Sequence, residues 1–238
     1  MDALLEVRDL SVGYAKTQVL RGVSLRLEKG QSIGLFGPNG HGKTTLLKTI
    51  SGLLVPWGGE IVLEGSRIDG ANPRAIVDRG VVQVPQGNIM FPELTVLENL
   101  RLGAYCRRAR ARATGNLERV YELFPRLAER RKQRSKTLSG GERQMLAIGV
   151  GLMSAPELLM LDEPTLGLAP KLKDEFREAI SVISRSGVPL VLVEQDVEFL
   201  LSLTDHLYMI SNGEVAHDIA ADEELDRAEI MQMYFGKH

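Results

Sequence analysis

The chain has 238 residues, of which 44% are hydrophobic, and this suffices for one large core or for a core with a small subdomain. No apolar stretch approaches the roughly 20 residues that cross a bilayer, so the composition excludes a subunit that itself spans a membrane. The formal net charge is −2, the single cysteine, Cys106, excludes an internal disulfide, and the beginning of the chain lacks a secretion signal, which together predict a cytosolic protein.

Three segments near the beginning of the chain alternate apolar and polar residues. They are Leu4 to Val12, Val19 to Leu27 and Glu60 to Leu63. Because alternation with a period of two is typical of strands with one exposed face, we expect a small antiparallel sheet here.

A buried strand is predicted from Ser32 to Phe36 and a helix from Lys43 to Ile50, and a phosphate-binding loop connects the two. Its sequence is Gly37-Pro38-Asn39-Gly40-His41-Gly42-Lys43-Thr44. Glycines allow successive backbone N–H groups to point inward, and the N-terminus of the helix adds partial positive charge. Lys43 supplies a charge for the β and γ phosphates, and the Thr44 hydroxyl is a ligand for Mg²⁺. A Gly-rich turn that merely caps a helix is the alternative, and the complete spacing favours nucleotide binding.

His41 replaces the small residue that many such loops carry. We expect its side chain to point to solvent or to a subunit interface while the backbone binds phosphate.

Further apolar runs predict core strands that alternate with helices. These runs are Gly80 to Val84, Leu158 to Leu161, Pro189 to Val193 and His206 to Ser211. Between Gly87 and Pro156 helical patterns replace the strands. The sequence therefore predicts an α/β fold with its core in residues 1–86 and 157–238 and an inserted helical subdomain in residues 87–156. After Pro170, a core-facing helical stripe is expected from Leu172, Phe176, Ala179, Ile180 and Ile183.

The predicted helical subdomain is rich in basic residues. From Arg101 to Lys136 there are twelve Lys or Arg and three Glu, a local net charge of +9. Solvated helix faces explain most such residues, although anionic lipid would also attract them. We expect no nucleic-acid site, because aromatic residues that could stack on bases are not interleaved.

Two carboxylates, Asp162 and Glu163, follow the apolar run that ends at Leu161. The carboxyl ends of parallel strands are where α/β sheets bind ligands. Asp162 is predicted to hold Mg²⁺ through its hydration shell, and Glu163 to polarise the water that attacks the γ-phosphate. A solvated turn is the alternative.

The segment Leu138-Ser139-Gly140-Gly141-Glu142-Arg143-Gln144 is the most specific in the chain. Ser139 and Glu142 have the spacing of a capping box, as do Thr95 and Glu98, so this half of the segment is common. Capping does not require Gly140 and Gly141, whose bare backbone suits close approach to an anion. The segment resembles the signature motif of ATP-binding-cassette (ABC) proteins, where it completes the ATP site of the opposite subunit. The resemblance implies a head-to-tail dimer, homomeric or heteromeric, with two ATP molecules between the subunits.

The resemblance extends from Leu5 to about Gly236. It implies a P-loop NTPase (RecA-like) core with an antiparallel β subdomain and a helical subdomain, and MgATP as ligand. In this family an aromatic residue at the position of Tyr14 stacks on adenine, and the glutamine corresponding to Gln86 reaches Mg²⁺ or the attacking water. The remaining residues that the resemblance assigns to ATP are Gly37, Pro38, Asn39, Gly40, His41, Gly42, Lys43, Thr44, Thr45, Ser139, Gly140 and Gly141.

Two positions depart from the commonest ABC pattern. Ala169 stands where the family often has an aspartate, and Gln195 stands where it usually has a switch histidine. Glutamine can hydrogen-bond a γ-phosphate but carries no charge. With the segments Glu122 to Leu127 and Gln144 to Gly149, these departures resemble the ATPase subunits of importers for branched-chain amino acids, urea and short amides.

That resemblance implies transmembrane permease subunits, a solute-binding protein, and a position on the inner face of the cell membrane. The alternatives are an ABC exporter and a non-transport ABC ATPase of DNA repair or translation, although no long coiled coil, zinc module or second cassette is visible. A GTPase or small-molecule kinase is disfavoured, because no N-K-x-D guanine motif occurs.

Overall fold

The computed structural model describes residues 3–87 and 90–220. The strands in these residues are β1 Ala3–Tyr14, β2 Thr17–Glu28, β3 Ser32–Phe36, β4 Gly58–Leu63, β5 Ser66–Arg67, β6 Val81–Val84, β7 Leu158–Asp162, β8 Leu190–Val193, β9 His206–Ser211 and β10 Glu214–Ala220. The helices are α1 Lys43–Ile50, α2 Pro73–Asp78, α3 Val96–Gly103, α4 Arg107–Arg110, α5 Ala113–Leu123, α6 Pro125–Glu129, α7 Gly140–Met153, α8 Pro170–Arg185 and α9 Val197–Leu201, with a 3₁₀ turn at Ser135–Thr137.

Contacts between residues divide the chain into two compact units. The first unit is Met1–Gly70 with Leu192–His238, and the second is Ala71–Val191. The predicted helical subdomain, residues 87–156, belongs to the second unit, and its boundaries stay a prediction. Residues 221–238, which include Gly236 and the end of the predicted core, lie outside the described residues.

In the first unit, β1, β2, β4 and β5 form an antiparallel sheet in the order β2-β1-β4-β5. Leu5 and Val7 are buried and Glu6 between them is more exposed, as a period of two requires, before a register shift between Val7 and Leu10. The predicted small sheet is therefore confirmed. The two-residue strand β5 was not predicted, because so short a segment shows no period.

The first unit also contains β3, β9 and β10. Every residue of β3 is buried, β9 pairs with it in parallel, and β10 pairs with β9 antiparallel. Tyr208 on β9 links this group to β2: its hydroxyl donates to the Arg26 carbonyl oxygen at 3.1 Å and accepts from the Arg26 N–H at 3.2 Å. Strand β10 was not predicted, since its polar residues mask the strand pattern.

In the second unit, β6 and β7 are parallel neighbours, with Val81 opposite Leu158 and Val84 opposite Leu161. In the described part of residues 87–156 the named elements are all helices, as predicted, joined by loops and with an isolated bridge between Thr95 and Arg134. None of the helices in the described ranges has both the length and the apolar character needed to cross a bilayer.

Helix α8 packs through the stripe predicted after Pro170. Phe176, Ala179, Ile180 and Ile183 are buried, and burying each large apolar side chain contributes about 1.5–3 kcal/mol. Leu172, at the first turn, is only partly buried. The stripe is therefore confirmed over its last three turns.

Acidic residues from outside the basic segment neutralise much of its charge. Glu93 pairs with Arg134 and Lys136, and further ion pairs are Arg108 with Glu157, Arg126 with Glu175, and Arg130 with Glu142. The net charge counted along the sequence therefore overstates the positive charge that this surface presents.

Candidate functional site

The phosphate loop needs glycine at two positions for space as well as for backbone conformation. Gly37 has φ 139°, and a Cβ there would lie 2.0 Å from the Ile210 carbonyl oxygen. Gly42 has φ 110°, and a Cβ there would lie 2.4 Å from the Leu20 side chain. Helix α1 begins at Lys43 after Gly42, an N-cap residue that has no side chain with which to cap it. Such a helix start suits an anion.

Lys43 is folded into this loop. It is only 5% exposed, and its Nζ donates to the carbonyl oxygens of Gly37 at 2.7 Å and Pro38 at 3.0 Å. Thr45 is buried behind it and Thr44 is partly buried. The ammonium is thus held among polar groups of the loop, where charge-assisted bonds to phosphate oxygens are stronger than the bonds to carbonyls.

His41 does not simply point to solvent, whereas its alternative expected position at a subunit interface stays a prediction. Its ring is partly buried in the first unit, and Nδ1 accepts a hydrogen bond of 2.9 Å from the backbone N–H of Asn212. Asn212 lies in the turn between β9 and β10. Sequence spacing gave no signal for this contact, because 171 positions separate the two residues.

Tyr14 and Gln195 also belong to the first unit. Tyr14 ends β1 and is 45% exposed, so a face of its ring is available for stacking on a base. Gln195 is exposed between the end of β8 and Asp196, whose side chain caps α9 by accepting from the Phe199 N–H at 3.2 Å. The structure thus places both predicted residues at the surface.

The second unit brings Gln86 and Glu163 together. Gln86 Nε2 donates to Glu163 Oε2 at 2.9 Å. The register of the parallel pair β6 and β7 explains the contact: Val84 lies opposite Leu161, and each of the two functional residues follows its strand partner by two positions. Glu163 also has a positive φ of 47°, a strained conformation that costs about 1–3 kcal/mol for a non-glycine residue. Neither the contact nor the strain was predicted.

Asp162 is the last residue of β7 and is only 2% exposed. Its carboxylate oxygens, like the Thr44 hydroxyl and the Gln86 amide oxygen considered each by itself, are hard oxygen donors. This is the chemistry that Mg²⁺ prefers, so the predicted metal ligands fit the ion.

The signature segment begins α7 with the predicted capping box. Ser139 Oγ accepts from the Glu142 N–H at 3.3 Å, and Glu142 Oε2 accepts from the Ser139 N–H at 2.8 Å. The Ser139 side chain also hydrogen-bonds the Glu142 carboxylate, so serine and glutamate are joined on both sides of the cap.

Packing explains only one of the two signature glycines. A Cβ at Gly141 would lie 2.8 Å from Leu172 Cδ1 of α8, whereas a Cβ at Gly140 would meet nothing within 4 Å. Gly140 and Ser139 are both exposed. Packing within the chain therefore does not explain why residue 140 is glycine. Its bare backbone would instead allow another molecule to approach closely.

Arg130 supports the signature segment and was missed by sequence reasoning. Its Nε lies 2.6 Å from Glu142 Oε1, and Nη1 donates to Gln133 Oε1 at 3.2 Å. Burial raises the pKa of Glu142, but the hydrogen bonds from Ser139 and the Arg130 charge outweigh it, so the net pKa is lowered. The ionised carboxylate is thus the form that the fold prefers.

Glu142→Gln should therefore reduce stability in a pH-dependent way. A lowered folded-state pKa means that the stabilisation is complete above the ordinary value of 4.5 and is lost as the pH falls through the folded value. At pH 7 we expect the variant to lose about 1.5–3 kcal/mol of unfolding free energy, the range for hydrogen bonds to charged groups. Urea unfolding of both forms between pH 3 and 7.5 measures this. A difference that persists undiminished at pH 3 would contradict the role of the ionised form.

Residues 20–166 match the model of the protein family described as "ABC transporter". This range includes the phosphate loop, Gln86, the signature segment and Glu163, while Tyr14 and Gln195 fall outside it.

Individual relatives match nearly the whole chain. The chain is 42% identical to the high-affinity branched-chain amino acid transport ATP-binding protein BraG of Pseudomonas aeruginosa, over 92% of this chain and 94% of that protein. It is 34% identical to the probable branched-chain amino acid transport ATP-binding protein LivF of Archaeoglobus fulgidus, over 98% and 99% of the two chains.

A solved nucleotide-free ATP-binding cassette from an ABC transporter has the same fold. It superposes with a TM-score of 0.85 at 25% identity, covering 99% of this chain and 100% of that one. The P-loop NTPase fold with mixed α/β structure is therefore confirmed.

Proposed function

The chain belongs to the ABC transporter family, and from that membership we propose that it powers import of a branched-chain amino acid or related polar solute through separate membrane permeases. It is an ATPase of this family. The observation that carries the importer proposal is the 42% identity to the Pseudomonas branched-chain amino acid subunit over almost the full length of both chains.

We assign MgATP binding in the first unit to the phosphate loop, residues 37–44, together with Thr45 and Tyr14. The support is the positive φ of Gly37 and Gly42 and the glycine at the N-cap of α1. Lys43 would exchange its carbonyl partners for phosphate oxygens. Bound Mg²⁺ would neutralise charge on the phosphates, held by Thr44, Gln86 and Asp162.

Water activation is assigned to Glu163. Its hydrogen bond from Gln86 holds the carboxylate in one orientation, and a carboxylate has enough lone pairs to accept both that bond and a proton from water. Gln86 thus acts here as a positioning residue for the base. Gln195, the third proposed catalytic residue, would hydrogen-bond the γ-phosphate.

The signature segment is assigned to the nucleotide of a second subunit. Ser139 and Gly140 are both exposed, and Gly140 has no packing reason to be glycine. Both features support a head-to-tail dimer in which Ser139, Gly140 and Gly141 face the partner's γ-phosphate. The proposed location is the inner face of the cell membrane, bound to permeases that receive solute from a binding protein.

Uptake measurements test the transport proposal. Cells that lack this chain are supplied with the parent or with Glu163→Gln, and uptake of labelled leucine is compared with uptake of labelled urea and acetamide. We expect the parent, but not the variant, to restore uptake of one of these solutes. Restored export, or no transport effect with intact ATPase activity, would instead favour an exporter or a non-transport ABC ATPase.

The pH dependence of turnover tests the role of Gln195. Gln195→His should introduce a step in the ATPase rate between about pH 6 and 7.5, because a charged imidazole makes a stronger bond to phosphate than a neutral amide. Gln195→Ala should lower turnover at all pH values. Rates of the three forms are measured at saturating MgATP. If the alanine variant matches the parent throughout, Gln195 does not touch the nucleotide.

A further inference from the structure

The turn between β9 and β10 is firmly anchored to β2. Arg21 N–H donates to the Gly213 carbonyl oxygen at 2.8 Å. Gly213 has φ 82°, and a Cβ there would lie 1.9 Å from the Val19 carbonyl oxygen, so the turn and the strand are in close backbone contact. Asn212, beside it, has φ 52° and directs its N–H to His41. The turn is thus a fixed point beside the phosphate loop.

Residues 38–41 of the phosphate loop have few other attachments to the rest of the protein. Pro38 and His41 are partly buried, and Asn39 and Gly40 are exposed. Within the described chain, no other side chain of residues 38–41 makes a hydrogen bond to another element. The His41 N–H makes only a long bond, 3.4 Å, to the Pro38 carbonyl oxygen of the same loop. The His41 imidazole therefore makes the side-chain hydrogen bond that connects residues 38–41 to the anchored turn.

We propose that His41 is a positioning residue that preorganises the phosphate loop by accepting the Asn212 backbone N–H. The proposal rests on the assignment of residues 37–44 to the nucleotide phosphates. An ordered loop presents its N–H groups to the phosphates without first losing conformational freedom. Loss of the hydrogen bond between His41 and Asn212 should therefore weaken nucleotide binding. His41 itself does not have to touch the nucleotide.

The acceptor atom defines the test. In the observed contact Nδ1 is the acceptor, so the ring carries its proton on Nε2. Asn at this position places Oδ1 at the same number of bonds from Cβ as His Nδ1 and can accept the same hydrogen bond. Ala and Leu cannot accept it. Asn212→Gly is the matched control, because glycine keeps the backbone donor and tolerates the positive φ.

Titration calorimetry with MgADP, which carries phosphates but is not hydrolysed, provides the affinities. We expect His41→Ala to bind about three- to tenfold more weakly, the range for one net hydrogen bond. His41→Asn should recover most of the loss, and Asn212→Gly should bind like the parent. In steady-state ATPase assays, the Michaelis constant for MgATP should rise by the same factor in His41→Ala, with kcat changed less than about twofold.

Two results would overturn the proposal: parent-like affinity in His41→Ala, or equally weak binding by His41→Asn and His41→Ala. If His41→Ala is too unstable to purify, His41→Leu fills the space without an acceptor and provides the same comparison. Lys43→Ala separates this inference from the assignment of the loop. If Lys43→Ala binds MgADP as tightly as the parent, the loop assignment fails; if only the His41 variants behave unexpectedly, the positioning role fails.

Discussion

Glu163→Gln is expected to lower ATPase turnover by about 10²-fold or more while ATP binding is retained, because the variant loses the base that orients water. The change is conservative in this structure, since the new amide oxygen can still accept the hydrogen bond from Gln86 Nε2. The phosphate loop lies in a different part of the sequence and is unchanged. Phosphate release at saturating MgATP measures turnover, and equilibrium titration with ATP measures binding.

Because hydrolysis normally ends the ATP-bound state, Glu163→Gln should also accumulate an ATP-bound dimer. Light scattering should report a doubled mass with MgATP and the monomer mass without it. The matched control is Glu178→Gln, a change at an exposed carboxylate on α8, which should alter turnover less than about twofold. Turnover of Glu163→Gln close to that of the parent would show that another group is the base.

Mixing two inactive variants should restore activity. Lys43→Ala removes the phosphate charge from a chain's own loop, and Ser139→Arg blocks the signature that it offers to its partner. Each homodimer then has a defect in both sites, whereas a mixed dimer has one intact site and one with both defects. With random pairing, an equimolar mixture should reach about a quarter of parent activity, since half of the dimers are mixed and each has one of two sites.

Ser139 is a suitable position for this test because it is exposed, so an arginine there is accommodated by its own chain. Activity of the mixture is measured against protein concentration, with each variant alone as control. A mixture that never exceeds the mean of the two separate variants contradicts the shared site. Parent activity that stays linear in concentration down to the lowest measurable level would do the same, because dimerisation must fail on dilution.

Local pattern was sufficient for most of the fold. Strand β3 and helix α1 have the predicted bounds, Ser32–Phe36 and Lys43–Ile50, and both capping boxes formed. These features depend on periodicity and on contacts between residues close in sequence, so the sequence alone determines them. Strand β10 was missed because its exposed polar residues resemble a loop.

Contacts between distant residues were decided only by the tertiary structure. The bond from Gln86 to Glu163 depends on the register of β6 and β7, which no single strand encodes. Likewise, Arg130 reaches Glu142 because the end of α6 lies beside the start of α7. For the same reason, the net charge of the basic segment overstates the positive charge at its surface, since ion-pair partners such as Glu93 and Glu157 lie outside the segment.

The phosphate loop combines features that the local sequence determines with a contact that only the tertiary structure determines. Its spacing identifies the residues that surround phosphate, since glycine, lysine and threonine at these intervals have a direct chemical use. The role of His41 could not be predicted in this way, because its partner is a backbone N–H in a turn 171 positions away. A backbone donor is present in almost every residue, so only the folded chain determines which one meets a given side chain.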